Sequence, residues 1–278
     1  MDFRKDRIVT YIASNTSEPL VCTPKSLPED ERIGAAEHAL AINPANQPHP
    51  LLLAAATLDR PMPRARLALF VSKRWQSCGV RLTVGFLDNP PAELRARILA
   101  HMNAWNKTAN VAFVETKTDP QVRIACAHDG HWSYLGTDIL RRPKHEQTMN
   151  LDGFTMNTPE SEFFRVVRHE TGHTLGFPHE HMRKEFVSRI DLNKAFAYFE
   201  RTQGWDQEEV RHQVLTALES RSLLGTMNAD ASSIMCYQLP GEITTDGRPI
   251  LGGTDIDLTD YEFAASVYPL ACIEAATR

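Results

Sequence analysis

The run His169-Glu170-Thr171-Gly172-His173-Thr174-Leu175-Gly176-Phe177-Pro178-His179 gathers three histidines, one glutamate and two glycines into eleven residues. A spacing of four sets His169 and His173 one helical turn apart on the same face, where two imidazoles can reach one ion. Glu170 follows the first ligand and can reach a water on that ion without being a ligand itself. Gly176 tolerates the left-handed conformation that ends a helix and reverses the chain. That reversal brings His179 back as a third ligand, whereas a helix continued to 179 would carry it past the ion. Three neutral imidazoles leave one tetrahedral position open, the arrangement of a catalytic zinc rather than a structural one.

Outward from this run, Thr158-Pro159-Glu160 predicts where the ligand-bearing helix starts. Thr158 serves as N-cap, Pro159 sits in the first turn, and acidic residues face the positive end of the dipole. Phe164, Val167, Thr171 and Leu175 then share one face, which predicts packing on a sheet. Residues 80–87 alternate like a half-buried strand, and 111–114, 122–125 and 148–151 predict three further short strands. Asn89-Pro90-Pro91 opens a helix on which Leu94, Ile98, Met102 and Trp105 form one apolar stripe. No internal repeat or low-complexity segment interrupts the pattern.

The chain has 278 residues, 42% hydrophobic and 23% charged, enough to bury a large core. A net charge of −5 argues against a nucleic-acid partner, which needs a basic face. No run approaches the ~20 apolar residues of a membrane span, so no membrane partner is expected. The first 30 residues lack the apolar core of a signal peptide, which predicts a cytoplasmic or leaderless secreted protein. Cys22, Cys78, Cys126, Cys236 and Cys272 are odd in number and scattered, a pattern of reduced thiols rather than a disulfide framework. Residues 1–65 read as an N-terminal extension and 66–278 as the main domain. The extension holds a helical stretch around 31–41 and a proline-punctuated strap at 43–50. Within it, Cys22-Thr23-Pro24 suggests an extended segment whose thiolate can fill zinc's open position, about 2.3 Å from the ion. Asp30 is a second candidate for that role, and a purely structural cysteine is the alternative.

The pattern His169-Glu170-x-x-His173-x-x-Gly176-x-x-His179 resembles the long zinc signature of the metzincin clan of metallopeptidases. Ser233-Ile234-Met235-Cys236-Tyr237 looks like the methionine turn of the astacin family, with cysteine where astacins commonly have histidine. Gly176-Phe177-x-His179-Glu180-His181 and Arg183 point the same way, and 257–269 resembles the family's C-terminal helix. The resemblance covers residues 66–270 and implies an α+β metzincin-type zincin. Its parts would be a twisted, mostly parallel mixed sheet, a long active-site helix, and a zinc cleft between N- and C-terminal lobes. It also implies zinc-dependent endopeptidase activity, with Glu170 as general base, Tyr237 as a switchable ligand that stabilises the transition state, and Met235 as support beneath the metal. A substrate bound as an extended strand is expected to add to the sheet near 148–151. The rival readings are a non-catalytic zinc-binding scaffold, a protease effector dedicated to one partner, and a zinc amidase acting on non-peptide amides.

Overall fold

The computed structural model describes residues 22, 25–48, 71–180, 183–215, 230–236 and 238–271. Strand β1 (Val80–Phe86) turns Val80, Leu82 and Val84 inward and leaves Arg81 outside, as its alternation requires. It lies between β2 (Val111–Glu115) and β3 (Val122–Ala125), parallel to both. Beyond β3 comes β5 (Met149–Asn150), again parallel, and then β4 (Trp132–Ser133), antiparallel, giving the order β2-β1-β3-β5-β4. The expected mostly parallel mixed sheet is thus present. Four strands match the sequence reading, which does not contain the two-residue β4. Residues 148–151 do not form the expected edge, because β5 is flanked on both sides. The outer position belongs to β4, too short to leave an alternating signature.

Helix α1 (Arg32–Ile42) lies in the N-terminal extension, and α2 (Ala92–Met102) joins β1 to β2. The predicted stripe of α2 is buried, with Trp105 continuing it in the following tight turn. Helix α3, residues 160–174, bears the zinc signature and contains one widened turn at Phe163–Val167. The extra residue in that turn shifts the upstream register, so Phe163 enters the core and Phe164 is half-buried, contrary to the strict helical count. Thr158 is not the N-cap. Pro159 holds that position without a side-chain cap, while the Thr158 hydroxyl accepts from the Thr155 N–H at 2.9 Å. Helices α4 (Leu192–Gln203) and α5 (Leu258–Val267) complete the larger elements.

Two main apolar clusters match the expected lobes. One packs α2, α3 and α5 on the sheet through Trp105, Phe163, Ile124 and Tyr268. The other gathers Phe186, Phe199, Leu239, Ile243 and Ile250, together with Cys22 and Cys236. Asn46 fastens the extension to the start of the main domain. Its Nδ2 donates to the Ala39 and Arg74 carbonyls at 2.9 Å each, and its Oδ1 accepts from the Arg74 N–H at 3.0 Å. The expected boundary near 65 lies outside the described residues. Cys22, Cys78 and Cys126 are free thiols, and no described helix is long and apolar enough to cross a membrane.

His131, just before β4, is buried against Phe154, and its Nδ1 accepts the Asp152 N–H at 3.0 Å. Burial and then Arg165 push its pKa down to about 4, against the pull of Asp152 and Glu162. A depressed folded-state pKa means stability present above pH ~6.5 and lost as pH falls through the folded value. Unfolding free energy should therefore drop by about 3 kcal/mol between pH ~6.5 and 4 on account of this group. Urea titrations of wild type and His131→Asn across that range check this; parallel pH curves would remove the assignment.

Candidate metal centre and active site

The ligand helix ends where the sequence requires. Gly176 adopts φ +90°, its N–H donates to the His173 carbonyl at 2.8 Å, and the Phe177 N–H donates to the Gly172 carbonyl at 2.9 Å. These two bonds form a Schellman motif, which satisfies orphan carbonyls of the last turn and reverses the chain. Two remaining carbonyls are tied by distant residues. Trp75 Nε1 donates to the Thr174 oxygen at 2.8 Å, and the Tyr268 hydroxyl donates to the Leu175 oxygen at 2.5 Å.

The reversal brings the three imidazoles to one point. His179 Nε2 lies 3.1 Å from His169 Nε2 and 3.0 Å from His173 Nε2. Nitrogens at 2.0–2.1 Å from a tetrahedral zinc would stand about 3.3 Å apart, so the cluster is close to a ligand set. The second nitrogens of two rings are anchored. His169 Nδ1 donates to the Ile234 carbonyl at 2.6 Å and His173 Nδ1 to the Phe177 carbonyl at 2.8 Å, which leaves each Nε2 lone pair for an ion.

Cys22 joins this group. Its sulfur and the three imidazole nitrogens lie within 4.8 Å of one another, and all four residues are buried. Asp30, the other candidate in the extension, is exposed and outside the cluster. Glu170 stands beside it, 1% exposed, with a hydrogen bond to Cys22 and a buried Oε2 that has no partner among the described residues. Burial pushes the Glu170 carboxyl up to about 8 and drives the Cys22 thiol well above its usual range. Three nitrogens, a sulfur and an orphaned carboxylate oxygen, all shut away from water, fit a divalent cation of zinc's preference.

Beneath the ligands, Met235 packs against α3 where Gly172 has no side chain. A Cβ on Gly172 would collide with Met235 Sδ and come within 3.2 Å of Trp105. The turn around Met235 is clamped by Asp260 of α5, a residue the sequence reading did not single out. Its carboxylate accepts from the Ser233 hydroxyl at 2.6 Å, the Ile234 N–H at 2.8 Å and the Asp257 N–H at 3.1 Å. The visible signal was Asp257-x-x-Asp260, a capping box that opens α5. The Ile234 peptide thus receives Asp260 on one side and His169 on the other. Glu180 pairs with Arg183 at 2.5 Å and accepts the Asp230 N–H at 3.2 Å. Tyr237 lies outside the described residues.

The family model for astacin, a family of peptidases, matches residues 70–241. The chain belongs to the astacin family. Among its relatives is the zinc metalloproteinase nas-27 of Caenorhabditis elegans, 31% identical in an alignment of 202 residues that covers 69% of this chain. The match spans 41% of that relative's length. The solved structure of myroilysin superposes with a TM-score of 0.65 at 30% identity, covering 72% of this chain and 97% of that one. A second myroilysin structure gives 0.54 at 31% identity, covering 71% and 86%.

Three donors converge on Asp260, and an amide in its place loses the negative charge that strengthens all three bonds. Asp260→Asn should release zinc about tenfold faster, as expected for a residue that orients a ligand through one intermediary. Chelator competition monitored by a zinc dye measures this, and an unchanged release rate in a folded variant removes the clamp from the metal site.

Proposed function

We propose that this chain is a zinc-dependent endopeptidase acting on protein or peptide substrates, held latent by its own N-terminal segment. The observation that carries the proposal is the convergence of His169, His173 and His179 Nε2 atoms beside a buried Glu170 oxygen that has no partner among the described residues. His169, His173 and His179 would hold Zn2+, which polarises a scissile carbonyl and lowers the pKa of the attacking water towards about 7. Glu170 takes the proton of that water and delivers it to the leaving amine. Ile234 and Phe177 keep the ligand rings in one tautomer through their carbonyls. Tyr237 is assigned the transition-state contact on the strength of the methionine-turn resemblance, and Met235 the support. An intact Glu170 counts against a retired scaffold.

Latency rests on Cys22. A sulfur within 4.8 Å of the three imidazole nitrogens would compete with a substrate carbonyl or water for the open position. The substrate is expected to lie extended along the sheet edge, at β4 rather than at β5.

Incubation of the zinc-loaded full-length chain with a proteome-derived peptide mixture, read by mass spectrometry, tests the activity. Cleavages should vanish with a chelator. Glu170→Ala should retain zinc while losing about 10²–10⁴-fold in rate; a variant that cleaves as fast as wild type would remove Glu170 as base. Cys22→Ser should raise the activity of the full-length chain by about tenfold as the competent state becomes populated. Equal rates for Cys22→Ser and wild type would make Cys22 a structural cysteine.

A further inference from the structure

The edge of the sheet already has an occupant. Lys25, three residues after Cys22, forms an isolated parallel bridge with Tyr134, directly beyond β4. Its ammonium lies over the Trp132 ring, 4.9 Å from the centroid, and 3.9 Å from the Asp129 carboxylate. The two groups that meet it are pre-arranged. Trp132 Nε1 donates to both the backbone oxygen and Oδ2 of Asp129 at 3.1 Å, which fixes the carboxylate beside the indole. Tyr134 braces Trp132 edge-on at 5.9 Å. An aromatic face and a carboxylate together select a cation, since a neutral side chain gains neither the quadrupole attraction nor the ion pair.

We propose that Asp129 and Trp132 form a substrate subsite for a basic side chain, lysine or arginine, which Lys25 fills in the latent chain. The proposal rests on the endopeptidase reading above and names its substrate class. Strand addition to a sheet edge is sequence-tolerant, so specificity has to come from the side-chain positions flanking it. Asp129 and Trp132 supply such a position, and Lys25, which meets them, is three residues from Cys22, at most about 10 Å of chain. The extension runs parallel to β4, so a substrate pairing antiparallel runs the other way. Its basic residue would then precede the scissile bond by two or three positions.

The test uses the full-length, zinc-loaded chain carrying Cys22→Ser, Lys25→Ala and Glu170→Ala, which frees the edge and prevents turnover. Hexapeptides identical except for lysine or norleucine at successive positions are titrated by calorimetry. Lysine should bind about fivefold tighter at one position, the size of a partly solvated cation–aromatic contact. Adding Asp129→Asn should weaken that preference, and adding Trp132→Leu as well should abolish it. Lack of a lysine preference at every position, its survival in the variant lacking both Asp129 and Trp132, or no binding of any peptide overturns the subsite. Cleavage mapping with Cys22→Ser and Lys25→Ala together separates the two readings. Cleavage without basic enrichment retains the peptidase and rejects the subsite. Lysine-selective binding without any cleavage keeps the site and rejects the endopeptidase.

Discussion

The left-handed turn at Gly176 is the constraint on which the rest of the molecule depends. A helix cannot present three ligands to one ion with spacings of four and six unless the chain reverses between the second and third. Here the reversal costs no side-chain strain, because Gly176 accepts φ +90° and lies against the backbone of Lys73 and Arg74, where a Cβ would come within 2.9 Å of the Lys73 oxygen. Trp75 and Tyr268, from opposite ends of the main domain, then tie the carbonyls that the reversal leaves behind. The metal cluster is therefore braced by residues nearly two hundred positions apart.

A second layer of the same architecture runs from α5 to the ligand helix. Asp260 holds the Ile234 peptide, and the Ile234 carbonyl orients His169. Met235 fits beneath α3 only because Gly172 is bare. Ligand geometry thus depends on packing between lobes, and the lower cluster that includes Cys22 and Cys236 closes the other side. The extension shares this arrangement rather than lying apart from it. Asn46 stitches it to the domain, Lys25 pairs at the sheet edge, and Cys22 reaches the histidines.

Much of the fold was legible in the chain, for identifiable reasons. The strand at 80–86 alternates cleanly, the α2 stripe repeats at helical spacing, and the zinc signature fixes its helix, its glycine stop and its third ligand by spacing alone. The misreadings share a different cause. A strict 3.6 count places Phe164 inward because a widened turn leaves no mark in residue identity. The edge of the sheet is misassigned because strand order is decided by pairing between distant segments, and a two-residue strand has no period to detect.

By itself, the sequence determined which groups would meet a metal, since the histidines, the adjacent glutamate and the glycine lie within one short run governed by local geometry. It also nominated both Cys22 and Asp30, each being within reach of a flexible strap. Tertiary structure alone buries Cys22 among the three imidazoles and leaves Asp30 in solvent. It likewise recruited Asp260, Trp75 and Tyr268 to the site, and set Lys25 over Trp132. Those contacts join segments far apart in the chain, and their existence depends on how the lobes close, which no local pattern encodes.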